Sequence, residues 1–179
     1  MKDTKKALRF TMVLPVMAAL FLSAASGVGM AGSILGDTVT IQYLYPDSTT
    51  LYGLSATGTV TATGVTLNLF ANQTVTVFGN DVQMVGINSD GSFFSLAAFN
   101  GVSIQDISNP TAFTGFSIDP ATTIGAFNLS DVSISGGLLY VNYQGLSTPV
   151  GSLAQVDFTS AASVPEPGTL SLIAPSVPT

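Results

Sequence analysis

Thr38-Val-Thr-Ile-Gln-Tyr43 alternates a polar with an apolar side chain at every step. Successive side chains of a β-strand point to opposite faces, so Val39, Ile41 and Tyr43 share one face and Thr38, Thr40 and Gln42 the other. The same period of two recurs where Val65, Leu67 and Leu69 alternate with Thr66 and Asn68, and where Val132 and Ile134 alternate with Asp131, Ser133 and Ser135. Each reads as a strand with one buried and one wet face. Turn residues separate such stretches: Pro46-Asp47-Ser48, Asn72-Gln73, Gly79-Asn80, Asn88-Ser89-Asp90-Gly91, Asn100-Gly101, Asn109-Pro110, Asp119-Pro120 and Gly136-Gly137. Asp90-Gly91 and Gly136-Gly137 suit tight hairpins, whose central residues need positive φ. This punctuation predicts an all-β domain, an antiparallel β-sandwich of jelly-roll or immunoglobulin-like type with about nine or ten strands. Thr-Val-Thr recurs at 38–40, 59–61 and 74–76, at unequal spacings, so the fixed repeat of a parallel β-solenoid is not there.

The chain starts differently. Lys2, Lys5, Lys6 and Arg9 precede an apolar run from Phe10 to Leu22, broken only by Thr11 and Pro15, and small residues fill Ser23 to Gly32. That order is a secretory signal peptide, expected as a helix over 1–31. Its 13-residue apolar run is well under the ~20 residues of a permanent span. A signal peptidase would cut somewhere from after Ala25 to after Ala31, where Ser23-x-Ala25 and Gly29-Met30-Ala31 offer small residues. The remaining layout is an ectodomain over 32–160 and a linker with a C-terminal tag over 161–179.

Removal of the leader changes the charge. All four basic residues lie in it, there is no His, and nine of the ten acids remain after Asp3 is lost. Binding to phosphate backbones works through cationic side chains that displace counterions, so nucleic acid and anionic lipid are not expected partners. The absence of cysteine means that an exported chain does without disulfides. A body of this length can stand on its hydrophobic core as one domain.

The composition also limits chemistry. Nucleophilic catalysis needs an acceptor titrating near neutrality, usually His, beside Ser or Cys. Carboxylate pairs are the remaining option, but Asp37, Asp47, Asp81, Asp90, Asp106, Asp119, Asp131 and Asp157 mostly sit at turns and read as turn caps. No enzymatic activity is expected, and no cofactor. Ca²⁺ accepts oxygen ligands from loops, and Asn80-Asp81 or Asn88-Ser89-Asp90 would supply them, without matching a calcium-loop motif. A carbohydrate-binding sandwich would show aromatic platforms. The rings to consider, in the absence of Trp, are Tyr43, Tyr45, Tyr52, Tyr140 and Tyr143. Tyr43 shares the apolar face of its strand and reads as core, whereas Tyr45 and Tyr140 are the exposed candidates. Asn72-Gln-Thr74 and Asn128-Leu-Ser130 read as turns.

Beyond Phe158 the alternation stops. Small residues and prolines form a linker, and Pro165-Glu166-Pro167 favours extended backbone. Val164-Pro165-Glu166-Pro167-Gly168-Thr169-Leu170-Ser171-Leu172 resembles the sorting tag of PEP-CTERM proteins, which Gram-negative bacteria that make extracellular polysaccharide export. "GDTVTIQYLYPD", "FNGVSIQDIS" and "VNYQGLS" resemble a β-rich ectodomain associated with that family. The resemblance implies Val164, Pro165, Glu166 and Pro167 as the sorting motif and an exosortase as its reader. It also implies a place outside the inner membrane, in the periplasm, at the cell surface or in the exopolysaccharide or biofilm matrix. The tag departs from the family pattern, with five residues, Leu170 to Ala174, where a spanning helix would need many more, then Pro175 and Pro178, and no Lys or Arg. A stable membrane anchor is therefore not expected from this tail. The reading as a whole is an exported, non-enzymatic matrix protein; the alternative is a carbohydrate- or Ca²⁺-binding module.

Overall fold

The computed structural model describes residues 32–87 and 92–161. They form a sandwich of two antiparallel five-stranded sheets. The first contains β1 (Thr38–Leu44), β2 (Leu51–Thr59), β7 (Gly101–Asp106), β9 (Val132–Ser135) and β10 (Leu138–Asn142), in the order β2-β1-β7-β10-β9. The second contains β3 (Val65–Leu69), β4 (Gln73–Val77), β5 (Asp81–Gly86), β8 (Phe113–Ile118) and β12 (Leu153–Ser160), in the order β3-β4-β5-β12-β8. A two-residue ribbon pairs β6 (Ser92–Phe93) with β11 (Ser147–Thr148). The expected antiparallel sandwich is the fold. The expected signal helix and C-terminal tail lie outside the described residues.

Period two decides which side chains meet. Val39, Ile41 and Tyr43 of β1 face Leu67, Leu69, Val75, Val77, Val82 and Met84 of the opposite sheet within one buried cluster. Ile104, Leu139 and Val156 are fully or almost fully enclosed in the same layer. Each such side chain contributes about 1.5–3 kcal/mol relative to exposure, which is how a disulfide-free domain of this size holds together. β2 is the exception. None of its residues is fully buried, because it is an edge strand whose outer neighbour is the edge of the facing sheet.

The Gly136-Gly137 hairpin forms as expected. Ser135 pairs with Leu138, and both glycines have positive φ (58° and 80°), as a type I′ turn requires. Two turn readings need correction. Gln73 does not turn: Leu69 pairs with Gln73, so the loop is Phe70-Ala71-Asn72, and Gln73 opens β4 with its side chain buried. Gly101 opens β7 instead of turning. A Cβ there would come 2.0 Å from the Val141 carbonyl oxygen, so glycine serves a close approach of two backbones.

The sandwich has two distinct poles. β12 runs antiparallel to β5 from Leu153 beside Val85 to Asp157 beside Asp81. At its far end, the Gly32 amide donates to the Ser160 carbonyl at 3.0 Å, so both ends of the described body lie side by side. The Gly79-Asn80 turn shares that pole, since the Ile34 amide donates to the Gly79 carbonyl at 2.9 Å. The β1–β2 connection and the β3–β4 loop lie at the other. Eight residues of β12 at about 3.3 Å each put roughly 26 Å between the poles.

Candidate functional site

The pole away from Gly32 and Ser160 carries an open cleft of about 310 Å³ lined by Tyr43, Tyr45, Tyr52, Phe70, Asn72, Gln73, Phe93, Phe94, Ser95 and Asn100. Local rules bring these residues together. Alternation turns Tyr43 inward at the end of β1, and the chain returns through Pro46 to place Tyr52 at the start of β2. Tyr52 is the hub: its ring meets Tyr43 at 5.9 Å, Tyr45 at 5.5 Å and Phe70 at 5.9 Å between centroids, all near-perpendicular. Phe70 meets Tyr43 the same way at 5.4 Å. Edge-to-face pairs contribute about 0.5–1.5 kcal/mol beyond burial, so the rings support one another's positions.

Polar groups fix the floor. The Tyr43 hydroxyl donates to Asn100 Oδ1, and Asn100 Nδ2 donates to the Ser95 carbonyl at 2.9 Å. Burial, reinforced by Tyr52 and Tyr45, pushes the Tyr43 hydroxyl up to about 12, which keeps it a donor. Gln73 Nε2 donates to Thr148 Oγ1 at 2.8 Å, tying β4 to the small ribbon. The rim is apolar and open, with Tyr52, Phe70 and Phe93 respectively 51%, 49% and 61% exposed.

The backbone at the rim is strained. Phe70 (φ 57°) and Ala71 (φ 89°) are successive non-glycine residues in the left-handed region. Each such residue costs about 1–3 kcal/mol, and such outliers cluster at ligand clamps. Here that conformation places the Phe70 ring at the cleft, where it packs on Tyr43 and Tyr52.

Tyr43 is core, as its register implied, and it also floors the cleft. Tyr45 is half-buried in the cleft wall. Tyr140 does not join it; its ring packs edge-on against Phe99 at 6.0 Å. Tyr143 is buried below, beside Phe94 and Phe127. Phe70 and Phe93 were not legible as site residues. The available signal was broken alternation: Phe70 follows Leu69 directly, and Phe93 precedes Phe94, so neither pair can place both side chains in the core.

Several aspartates cap turns as expected. Asp47 accepts from the Thr49 and Thr50 amides at 2.8 and 2.9 Å, and the Thr49 and Thr50 hydrogen bonds lower its carboxyl to about 2. Asp131 closes a capping box with Asn128 on the short 3₁₀ turn Leu129–Asp131. Asp106 also caps its turn, but from inside the body. It is fully buried, its Oδ1 accepts from the Asn109 amide at 2.9 Å, and its Oδ2 has no hydrogen-bond donor. Burial first, then the neighbouring Asp37, raises its carboxyl. Asp81 sits directly opposite Asp157 across β5 and β12, and both are raised, by burial first and then by Asp119. Among the described residues no group of three or more acids is placed to hold a metal ion. Asp90, the cleavage-region residues Ala25, Gly29 and Ala31, and the motif Val164-Pro165-Glu166-Pro167 lie outside the described residues.

The fold and cleft define a β-sandwich with a polar-floored aromatic site at one pole. Comparisons with family models, with curated proteins and with solved structures each return no match.

Proposed function

We propose that this chain is an exported, non-enzymatic protein of a Gram-negative bacterium that works outside the inner membrane, in association with the exopolysaccharide or biofilm matrix. The observation that carries this reading is the polarity of the sandwich. The leader and the tag segment join the body at Gly32 and Ser160, side by side, and the cleft opens about one sandwich length away. A body handled by export and sorting machinery at one pole keeps its other pole free for the matrix. Residues 32–160 contain no His, Cys, Lys or Arg, which supports a non-catalytic role. In this reading signal peptidase acts near Ala25 to Ala31, and an exosortase recognises Val164-Pro165-Glu166-Pro167.

The second reading, a carbohydrate-binding module, is favoured by the cleft and is compatible with the first. Co-sedimentation of the full chain with extracellular polysaccharide from a biofilm-forming host tests both. Protein that stays in the supernatant at every polysaccharide concentration removes the matrix reading. Separately, Pro165→Ala/Pro167→Ala should alter the protein's distribution among cell fractions. An unchanged distribution removes the exosortase from the account.

A further inference from the structure

Resting on the carbohydrate reading, we infer that the Tyr45–Tyr52–Phe70–Phe93 cleft is a site for a neutral saccharide segment, held by stacking and hydroxyl hydrogen bonds and not by charge. Three observations converge on an uncharged sugar. First, among the described residues no carboxylate lines the cleft, and the titratable groups there are the tyrosines. With Tyr43 pushed up to about 12, the floor is uncharged across any extracellular pH. Second, the lining pairs aromatic rings with amide and hydroxyl groups. Sugar C–H faces carry slight positive charge and stack on the negative face of a ring, while sugar hydroxyls need partners that both donate and accept. Tyr45, Tyr52 and Ser95 supply groups of that kind. Third, the body carries eight aspartates between residues 32 and 160 and no cationic side chain, so its field repels uronic acids and other anionic glycans.

Size and shape narrow the ligand. A volume of about 310 Å³ lies at the small end of ligand sites, which suits a short segment or chain end. The Phe70 ring packs on Tyr43 and Tyr52, so one wall is formed before binding, which reduces the ordering cost. A quaternary ammonium ligand also favours aromatic rings, but such sites gain from a facing carboxylate, and the described residues of this lining include none.

The test uses the full chain, titrated by calorimetry with neutral oligosaccharides of glucose, galactose, mannose and xylose, with oligogalacturonate, and with choline. Tyrosine fluorescence provides a second readout, since there is no Trp to mask it. At least one neutral oligosaccharide should bind, with affinity changing less than about twofold between low and high salt, because no ion pair is formed. Tyr52→Ala and Phe93→Ala should each weaken binding about tenfold, the loss of one ring contact with its burial. Tyr52→Phe should weaken it less, and Tyr140→Ala, outside the cleft, should leave it unchanged. Phe93→Ala guards against misfolding, since Phe93 is among the more exposed rings. Preference for oligogalacturonate or choline, or neutral-sugar binding that survives both ring deletions, overturns the inference while leaving a matrix role standing. Failure of every glycan to bind, with no co-sedimentation on polysaccharide, overturns both.

Discussion

Replacing Asp106 by Asn should stabilise the protein at neutral pH and do nothing in acid. Asp106 is fully enclosed at the end of β7; Oδ1 accepts from the Asn109 amide, and Oδ2 has no donor. The Asp37 carboxyl is the interacting neighbour, and two carboxyls hydrogen-bond only when one keeps its proton. An unfolded aspartate titrates near about 3.9. In the fold, burial and Asp37 move Asp106 above that value. The folded state therefore holds more protons than the unfolded one between the two values, and stability falls as pH rises through that interval. The penalty is absent below the unfolded value and complete above the folded one. Asp106→Asn removes the charge permanently, keeps an oxygen for the Asn109 amide, and gives Asp37 an N–H donor. Leaving a buried polar group unsatisfied costs about 1–3 kcal/mol, so the variant should gain about that much at pH 7. Urea unfolding of both proteins across acid to neutral pH reads the difference directly. A variant less stable than its parent at neutral pH, or a gain of equal size in acid, refutes the reasoning.

Other outcomes follow from the same geometry. Gly101→Ala drives a Cβ to 2.0 Å from the Val141 carbonyl oxygen and 2.9 Å from Asn142 Cα, both backbone atoms in central strands. Unfolding measurements should show a loss of about 3 kcal/mol or more. Asp81→Asn relieves a like-charge pair facing Asp157 across two strands; the gain should be about 0.2–1 kcal/mol in low salt and should shrink as salt is added. Asp47 has the opposite sign to Asp106. Held at about 2 by Thr49 and Thr50, its contribution is present above the unfolded value and lost as pH falls toward about 2. Asp47→Ala should therefore flatten the acid limb of the stability profile, which urea midpoints measured through that range would reveal.

Much of the fold was legible residue by residue. A period of two is a property of neighbouring residues, so the strands around Val39, Leu67 and Val132 and their buried faces could be read directly. Gly136-Gly137 named its own turn, because few other residues accept positive φ twice in succession. Phe70 and Ala71 do accept it, without glycine, and so that loop was read at Asn72-Gln73 instead of Phe70-Ala71-Asn72. Asp106 looked like any polar residue near a turn. What buries it is the approach of the chain before β1, which no local pattern encodes.

The sequence by itself determined an all-β body, the absence of cationic side chains beyond the first nine residues, and the lack of imidazole and thiol groups. These follow from composition and from side chains within a few positions of one another. Only the tertiary structure decided that Tyr45, Tyr52, Phe70 and Phe93, from separate elements, share one cleft, and that it opens at the pole opposite Gly32 and Ser160. Strand order and the packing of one sheet on the other set those distances, and both depend on contacts between residues far apart along the chain.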